Sequence, residues 1–277
     1  MLSELFLYLT TSCPGKVRRM GYLYEAIALR ARYGRNALSW QPHLENARRS
    51  VLTAAQRCRN CERAVILGAG LLLDVPLQEL SGLFREVVLV DIVFLPEVRR
   101  KVKRYNNVRL VEHDVAGIAE RLYQAVREKK ARAWQKEGGK VCLPESVPGL
   151  PVGAGTAGLV VSLNILSQLA FVPKKYAANH LHDLDNELLN TWCRSMVELH
   201  YEWLKTLAGD VCLVSDFRYI NKDRKGMIME QGSTIEGIDL PVPDAVWAWD
   251  IAPLGELSRS YSRELVVGAW QVHTEGS

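Results

Sequence analysis

Between residues 63 and 115 the chain three times builds a short apolar run and ends it on a glycine or an acid. Ala64-Val-Ile-Leu67 runs into Gly68-Ala-Gly70, Glu86-Val-Val-Leu-Val-Asp91 ends on a carboxylate, and Val108-Arg-Leu-Val111 leads into Glu112-His-Asp114. Runs of this length, rich in β-branched residues and apolar at successive positions, read as strands buried on both faces. The segments between them, Val75–Phe84 and Pro96–Arg104, suit helices, and a third helix is predicted from about Ala116 to Glu128. Strand, turn and helix in strict alternation leave few options: an α/β fold with a doubly wound, mostly parallel sheet.

The rest of the chain extends that pattern. Ala157–Ser162 is a fourth strand, Asp210–Ser215 a fifth, and Asn186–Leu207 the longest helix between them. Ala245–Ile251 and Arg263–Val272 are joined by a connection too short for a helical crossover, so they pair antiparallel. Residues 1–60 read as helical and precede the first strand. Pro14–Arg35 carries an apolar stripe (Met20, Leu23, Tyr24, Ile27) among the basic residues Lys16, Arg18, Arg19, Arg30, Arg32 and Arg35. Ser39 or Gln41 is expected to cap a following helix that runs to Arg57, with Pro42 in its first turn. Residues 129–156, rich in Gly and Pro, break the rhythm as an insertion. The expected division is a helical cap or lid over 1–60 and an α/β domain over 61–277, with the insertion near 129–156.

Composition narrows the class of function. The chain has 277 residues, 48% hydrophobic and 24% charged, with a formal net charge of +4. That is globular composition, and the small positive charge does not mark a nucleic-acid binder. No apolar run approaches the roughly 20 residues of a membrane span, and the N-terminus lacks the basic region of a signal peptide. A cytoplasmic protein, bound to neither membrane nor nucleic acid, is expected, and its oligomeric state is open. Of the six cysteines only Cys58 and Cys61 lie close together, with no second pair to complete a zinc site. No metal is expected.

On a doubly wound sheet, ligands bind beyond the carboxyl ends of the strands. Three features fall there in register. The Gly68-Ala69-Gly70 turn lets backbone approach a ligand. Asp91, about 20 residues on, can accept hydrogen bonds from ribose hydroxyls. Asp114, after the third strand, can read an adenine edge. An adenosine-containing ligand follows.

At these residues the chain resembles the class I, Rossmann-like S-adenosylmethionine-dependent methyltransferases over about residues 60–272. Val65–Asp74 looks like the family's first motif, Val88–Asp91 its second-strand acid, His113-Asp114-Val115 its adenine-contacting motif and Leu159–Asn164 its fourth strand. The resemblance implies a seven-stranded sheet of order 3-2-1-4-5-7-6 with strand 7 antiparallel. It implies S-adenosylmethionine as cofactor, held by Gly68, Ala69, Gly70, Asp91, Ile92, Asp114, Val115 and Asn164, and a small-molecule methyl acceptor. Two departures stand out. Ile66 occupies the place of an acid common in the first motif, and Leu72 that of a third glycine. Asp74 either compensates for the missing acid or caps a helix. Because the segment after strand four, Asn164-Ile-Leu-Ser-Gln168, lacks the Asn/Asp-Pro-Pro-aromatic motif, a nucleobase acceptor is disfavoured.

Within His180-Leu-His182-Asp183-Leu-Asp185, His182 with Asp183 is the candidate acid–base pair, since histidine titrates near neutral pH. The alternative there is a helix entry capped by Asp183 or Asp185. Asp216 and Tyr219 are expected to follow strand five and line the pocket. Tyr22, Tyr24 and Trp40 are candidates to reach the ligand from the cap, and its basic residues to attract an anionic substrate. Two other readings stay open: a cofactor-binding regulator or scaffold without catalysis, and a nicotinamide-dependent oxidoreductase, whose third fingerprint glycine is Leu73 here.

Overall fold

The computed structural model describes residues 2–133, 143–151, 157–181 and 184–272. Three helices come first: α1 (Leu2–Thr10), α2 (Gly15–Met20) and α3 (Tyr22–Arg57). Then follow β1 (Arg63–Leu67), α4 (Leu77–Leu83), β2 (Glu86–Asp91), α5 (Pro96–Val102), β3 (Val108–Glu112) and α6 (Ala119–Ala133). The remainder runs β4 (Leu159–Leu163), a 3-10 turn at Leu166–Gln168, α7 (Phe171–His180), α8 (Asn186–Lys205), β5 (Asp210–Asp223), β6 (Ile228–Ser233), β7 (Ala245–Ala252) and β8 (Tyr261–Val272).

The sheet order is β3-β2-β1-β4-β5-β8-β7, with β6 paired to β5 off this path. Strands β1 to β5 are parallel, and β8 runs antiparallel between β5 and β7. This is the expected order with one strand added. The addition arises because β5 does not stop at Ser215. It continues to Asp223 through a bulge between Asp216 and Arg218, then turns back as β6. Asp216 and Tyr219 therefore lie within a strand and not after one. Bulges let a strand bend and keep pairing, and here β8 is long enough to follow.

Side-chain alternation along the strands builds two apolar layers. Ala64, Ile66, Leu89, Val161 and Val214 face the second half of α3 with α4 and α5. Val65, Val88, Val160 and Leu213 face the other way, toward Val197 and Leu204 of α8. Beyond the strand ends, α6, α7 and the start of α8 form a further cluster around Ile118, Leu122, Ala177 and Met196.

The expected helix start at Ser39 or Gln41 is not found. The break falls earlier, at Asn36, whose non-helical backbone (φ −120°, ψ 22°) makes a kink between two helical stretches of α3, and Pro42 lies inside the second of them. Asn36 Nδ2 donates to the Arg32 carbonyl at 3.0 Å, and Gln41 donates to Glu45, so neither Ser39 nor Gln41 caps a helix start. Proline removes one helical hydrogen bond and crowds the carbonyl four residues earlier. That residue, Leu38, is 86% exposed, so water can serve its carbonyl.

Candidate nucleoside site

The glycine turn is built by close packing. A Cβ on Gly68 would lie 1.9 Å from Ile165 Cγ2 and 2.6 Å from the Leu163 carbonyl, so the turn rests directly on the residues after β4. Gly70 is different. Its φ is +45°, and a Cβ there would meet nothing nearer than 3.8 Å, which leaves its outer side open to a ligand. Leu72, at the third-glycine position, has φ +58° and is 1% exposed. The left-handed conformation usually given to glycine is kept by a leucine. The strain costs about 1–2 kcal/mol, and burying the side chain offsets it.

Asp91, at the end of β2, turns its carboxylate onto this loop. Oδ2 accepts the Gly70 N–H at 2.8 Å and Oδ1 the Ile92 N–H at 2.7 Å. Burial pushes its pKa up to about 6, against the opposing pull of these backbone donors. Asp114, after β3, uses Oδ2 to accept from Ala119 N at 2.6 Å at the start of α6. Val115 is buried beside it. The described part of the insertion, residues 143–151, runs along this segment. Val147 N donates to the Ala116 carbonyl, Gly149 N to that of Val115, and the His113 ring meets the Gly149 carbonyl at 3.1 Å.

Asn164, after β4, brings together residues far apart in sequence. It adopts φ +51° and is 8% exposed. Its Nδ2 donates to Asp74 Oδ2 at 2.7 Å and lies 3.4 Å from His43 Nε2. His43 in turn accepts from Trp247 Nε1 at Nδ1, 3.1 Å, and stacks on Trp249 at 3.9 Å. Burial lowers the His43 pKa to about 3, so the ring is neutral. Among the described residues the buried Asn164 Oδ1 has no hydrogen-bond partner. An unsatisfied buried acceptor is costly, and a donor on a bound ligand would complete it. The helix-cap alternative for Asp74 is overturned: α4 begins at Leu77 with Pro76 before it, and the Asp74 carboxylate accepts from Asn164. Nothing in the sequence pattern signalled His43 or Trp247 as its neighbours.

Next to Asn164, Asp216 is 4% exposed and accepts from Ser167 Oγ at 2.7 Å, burial raising its pKa. His182 and Asp183 lie outside the described residues. Asp185 caps α8, accepting from Glu187 N at 3.3 Å.

The cap's basic residues do not form an open anion trap. Lys16 pairs with Glu120, Arg30 with Glu97, and Arg32 and Arg35 with Glu256. Arg18 donates to the carbonyls of Tyr8 and Thr11, and Arg19 to the Tyr123 hydroxyl. The expectation that they attract an anionic substrate therefore loses its basis. Of the aromatic candidates, Trp40 is buried and donates to the Ile251 carbonyl at 3.0 Å. Tyr24 is 60% exposed, with Lys175 over its ring. Cys58 and Cys61 are free thiols. Among the described residues there is no metal-binding cluster and no helix long and apolar enough to cross a membrane.

No family model matches the chain, and no curated protein matches it. Solved structures do. One is 1,6-didemethyltoxoflavin-N1-methyltransferase of Burkholderia thailandensis, with S-adenosylhomocysteine bound: 12% identity, 86% of this chain and 82% of that one, TM-score 0.36. Another is DhpI in its SAH complex: 12% identity, 87% and 93%, TM-score 0.33. A third is precorrin 8W decarboxylase of Methanobacterium thermoautotrophicum: 14% identity, 80% and 89%, TM-score 0.30. At these identities and TM-scores they assign no activity. The strand order stands independently of them: the chain has a Rossmann-like, doubly wound α/β fold with a sheet of order β3-β2-β1-β4-β5-β8-β7 and β8 antiparallel.

Proposed function

We propose that the protein binds S-adenosylmethionine and transfers its methyl group to a small molecule. One observation carries the reading. Gly70, Asp91, Asp114 and Asn164 sit at the carboxyl ends of four adjacent parallel strands, β1 to β4, in the order a nucleoside and its amino-acid tail require. Asp91 would hold ribose hydroxyls, Asp114 and Val115 the adenine, and the glycine turn the tail. The orphaned Asn164 Oδ1 suits an ammonium donor, which the cofactor carries. When bound, that cofactor supplies an electrophilic methyl on a sulfonium.

The protein's own part is then to align the acceptor and, for an acceptor that loses a proton, to take it up. Ser167, after β4, and Asp216, at the bulge within β5, would flank the place where the acceptor lies. We assign proton uptake to His182 with Asp183, which fall between α7 and α8. A His182→Ala variant whose turnover shows the wild-type pH profile removes that role. The nicotinamide reading suits this chain less well, since β8 is antiparallel and Leu73 stands where its third fingerprint glycine is wanted.

Native mass spectrometry of the freshly purified protein tests the cofactor. S-adenosylmethionine or S-adenosylhomocysteine retained, or bound on addition, is expected. A protein that retains or takes up NAD and neither of these contradicts the proposal. Methyl transfer to a metabolite extract from labelled cofactor distinguishes an enzyme from a binding protein without catalysis.

A further inference from the structure

The two faces of the last strands are covered unequally. α3 lies on one face of β7, where Trp249 packs against His43 and Trp40, and Trp247 against His43. On the opposite face Ile235, Ile238 and Leu240 cover the sheet around Phe217 and Trp270. The Trp270 ring lies against Gly268. Past that glycine, toward Arg218, Ala248 and Asp250, the face opens to solvent.

The strand registers give the side chains that share this open face. Val246 stands opposite Gly268. Ala248 stands opposite Val266, and Val266 opposite Arg218. Asp250 stands opposite Glu264, and Glu264 opposite Ile220. Residues in register point to the same side of a sheet. Val246, Ala248, Asp250 and Arg218 are exposed, Val246 to 55%. Gln231 and Ser233 of β6, opposite Ile220 and Arg218, add a polar margin. β7 is also an end strand of the sheet, eight residues long, with no proline and with Asp250 as its one charge. Such an edge is poorly protected against another chain.

Two charges on this face have no partner within the chain. Arg218 and Asp250 make no side-chain ion pair or hydrogen bond among the described residues. Lys222 and Glu264 neutralise each other at 2.9 Å. Arg218 and Asp250 stand on β5 and β7 with β8 between them, at least about 10 Å apart, too far to pair. A two-fold axis through β8 between Val266 and Glu264 exchanges β5 with β7. It sets Arg218 against the partner's Asp250, and Ile220 against the partner's Ala248, on both sides of the axis. The face is therefore complementary to itself in charge and in apolar contact, as an isologous dimer requires. A wholly acidic or wholly basic partner would leave one of the two charges opposed by its like.

We propose that this face of β5, β8 and β7 is a dimer interface, occupied by a second copy of this chain and held in register by two reciprocal Arg218–Asp250 pairs. Sedimentation equilibrium on the full-length protein across micromolar concentrations tests it. The wild type is expected to be a dimer that weakens as salt is raised. Arg218→Asp and Asp250→Arg each set like charges opposite one another, and each is expected to raise the dimer Kd at least about 10-fold. The double variant, Arg218→Asp with Asp250→Arg, restores opposite charges and is expected to recover the dimer. Both positions are exposed, so the fold is kept in every variant, as circular dichroism would show. A wild type that is monomeric at every concentration overturns the inference, whether the face is left to water or taken by a different partner. So does a dimer that neither single reversal weakens, or one that the double reversal does not recover.

Discussion

The two halves of the sheet's carboxyl edge are built differently. Across β1, β2 and β3 the site is mostly main chain: a glycine turn, two strand-end acids, and the backbone amides they accept from. Across β4, β5 and β7 it is side chains from distant places. Asn164 meets Asp74, His43 and Trp247 in one buried chain, with Asp216 and Ser167 beside it. The first half can be drawn from local sequence because each piece is a strand followed by its own turn. The second depends on which helix lies over which strand, and that is a property of the assembled fold.

The difference predicts where each half is vulnerable. The largest effect should come from Asn164→Asp, which sets a second carboxylate where a 2.7 Å hydrogen bond to buried Asp74 now stands. Stranding like charges in the interior should cost about 3 kcal/mol or more, read as a lower urea midpoint at pH 8. The loss should shrink as the pH falls and one carboxyl protonates. The same substitution in an exposed turn would barely register.

Acid comes next. His43 and His200 are buried neutral, with pKa values lowered by burial to about 3. The unfolded chain protonates both near pH 6.5 and the folded chain does not. Their stabilisation is complete above pH 6.5, falls as the pH drops from there toward 3, and then levels off. Each should cost roughly 2 kcal/mol by pH 5, measured by chemical denaturation across that range. His200→Gln should flatten the profile by about half. An unchanged slope would mean that one of these rings is already charged in the folded protein.

Smaller still is the effect at Leu72. Replacement by glycine relieves about 1–2 kcal/mol of left-handed strain but removes about 2–3 kcal/mol of buried side chain. A net loss near 1 kcal/mol is expected in thermal unfolding. Smallest is Arg35→Ala: despite two contacts with Glu256, the arginine side chain is 56% exposed. Less than about 1 kcal/mol is expected, vanishing at high salt.

Much of the fold was legible because its strands are short, apolar and punctuated. The strands β1 to β4 and the antiparallel pairing of β7 with β8 follow from those runs and the short link between them, whereas the strand order was implied by the family resemblance. The β5–β6 hairpin was not legible, since Phe217–Asp223 alternates around a bulge and carries Arg218, Asn221, Lys222 and Asp223, which read as a loop. The break expected near Ser39 is displaced to Asn36, where the backbone leaves the helical region, and the second helical stretch runs through Pro42. At the site, Gly68, Gly70, Asp91 and Asp114 stand where the spacing put them. The fate of the cap's arginines was hidden, because Glu97, Glu120 and Glu256 meet them only once the chain has folded.

Calorimetric titration with S-adenosylhomocysteine, on the wild-type protein and on Asp91→Ala, tests the central claim most directly. The wild type should bind, and NAD should give no heat. The variant should bind about 10- to 150-fold more weakly, the scale of hydrogen bonds to a charged group. Because the Asp91 pKa is raised to about 6, wild-type affinity should fall as the pH drops through that value while the variant's stays level. Binding of NAD without S-adenosylhomocysteine, or equal affinity in the two proteins, would contradict the account.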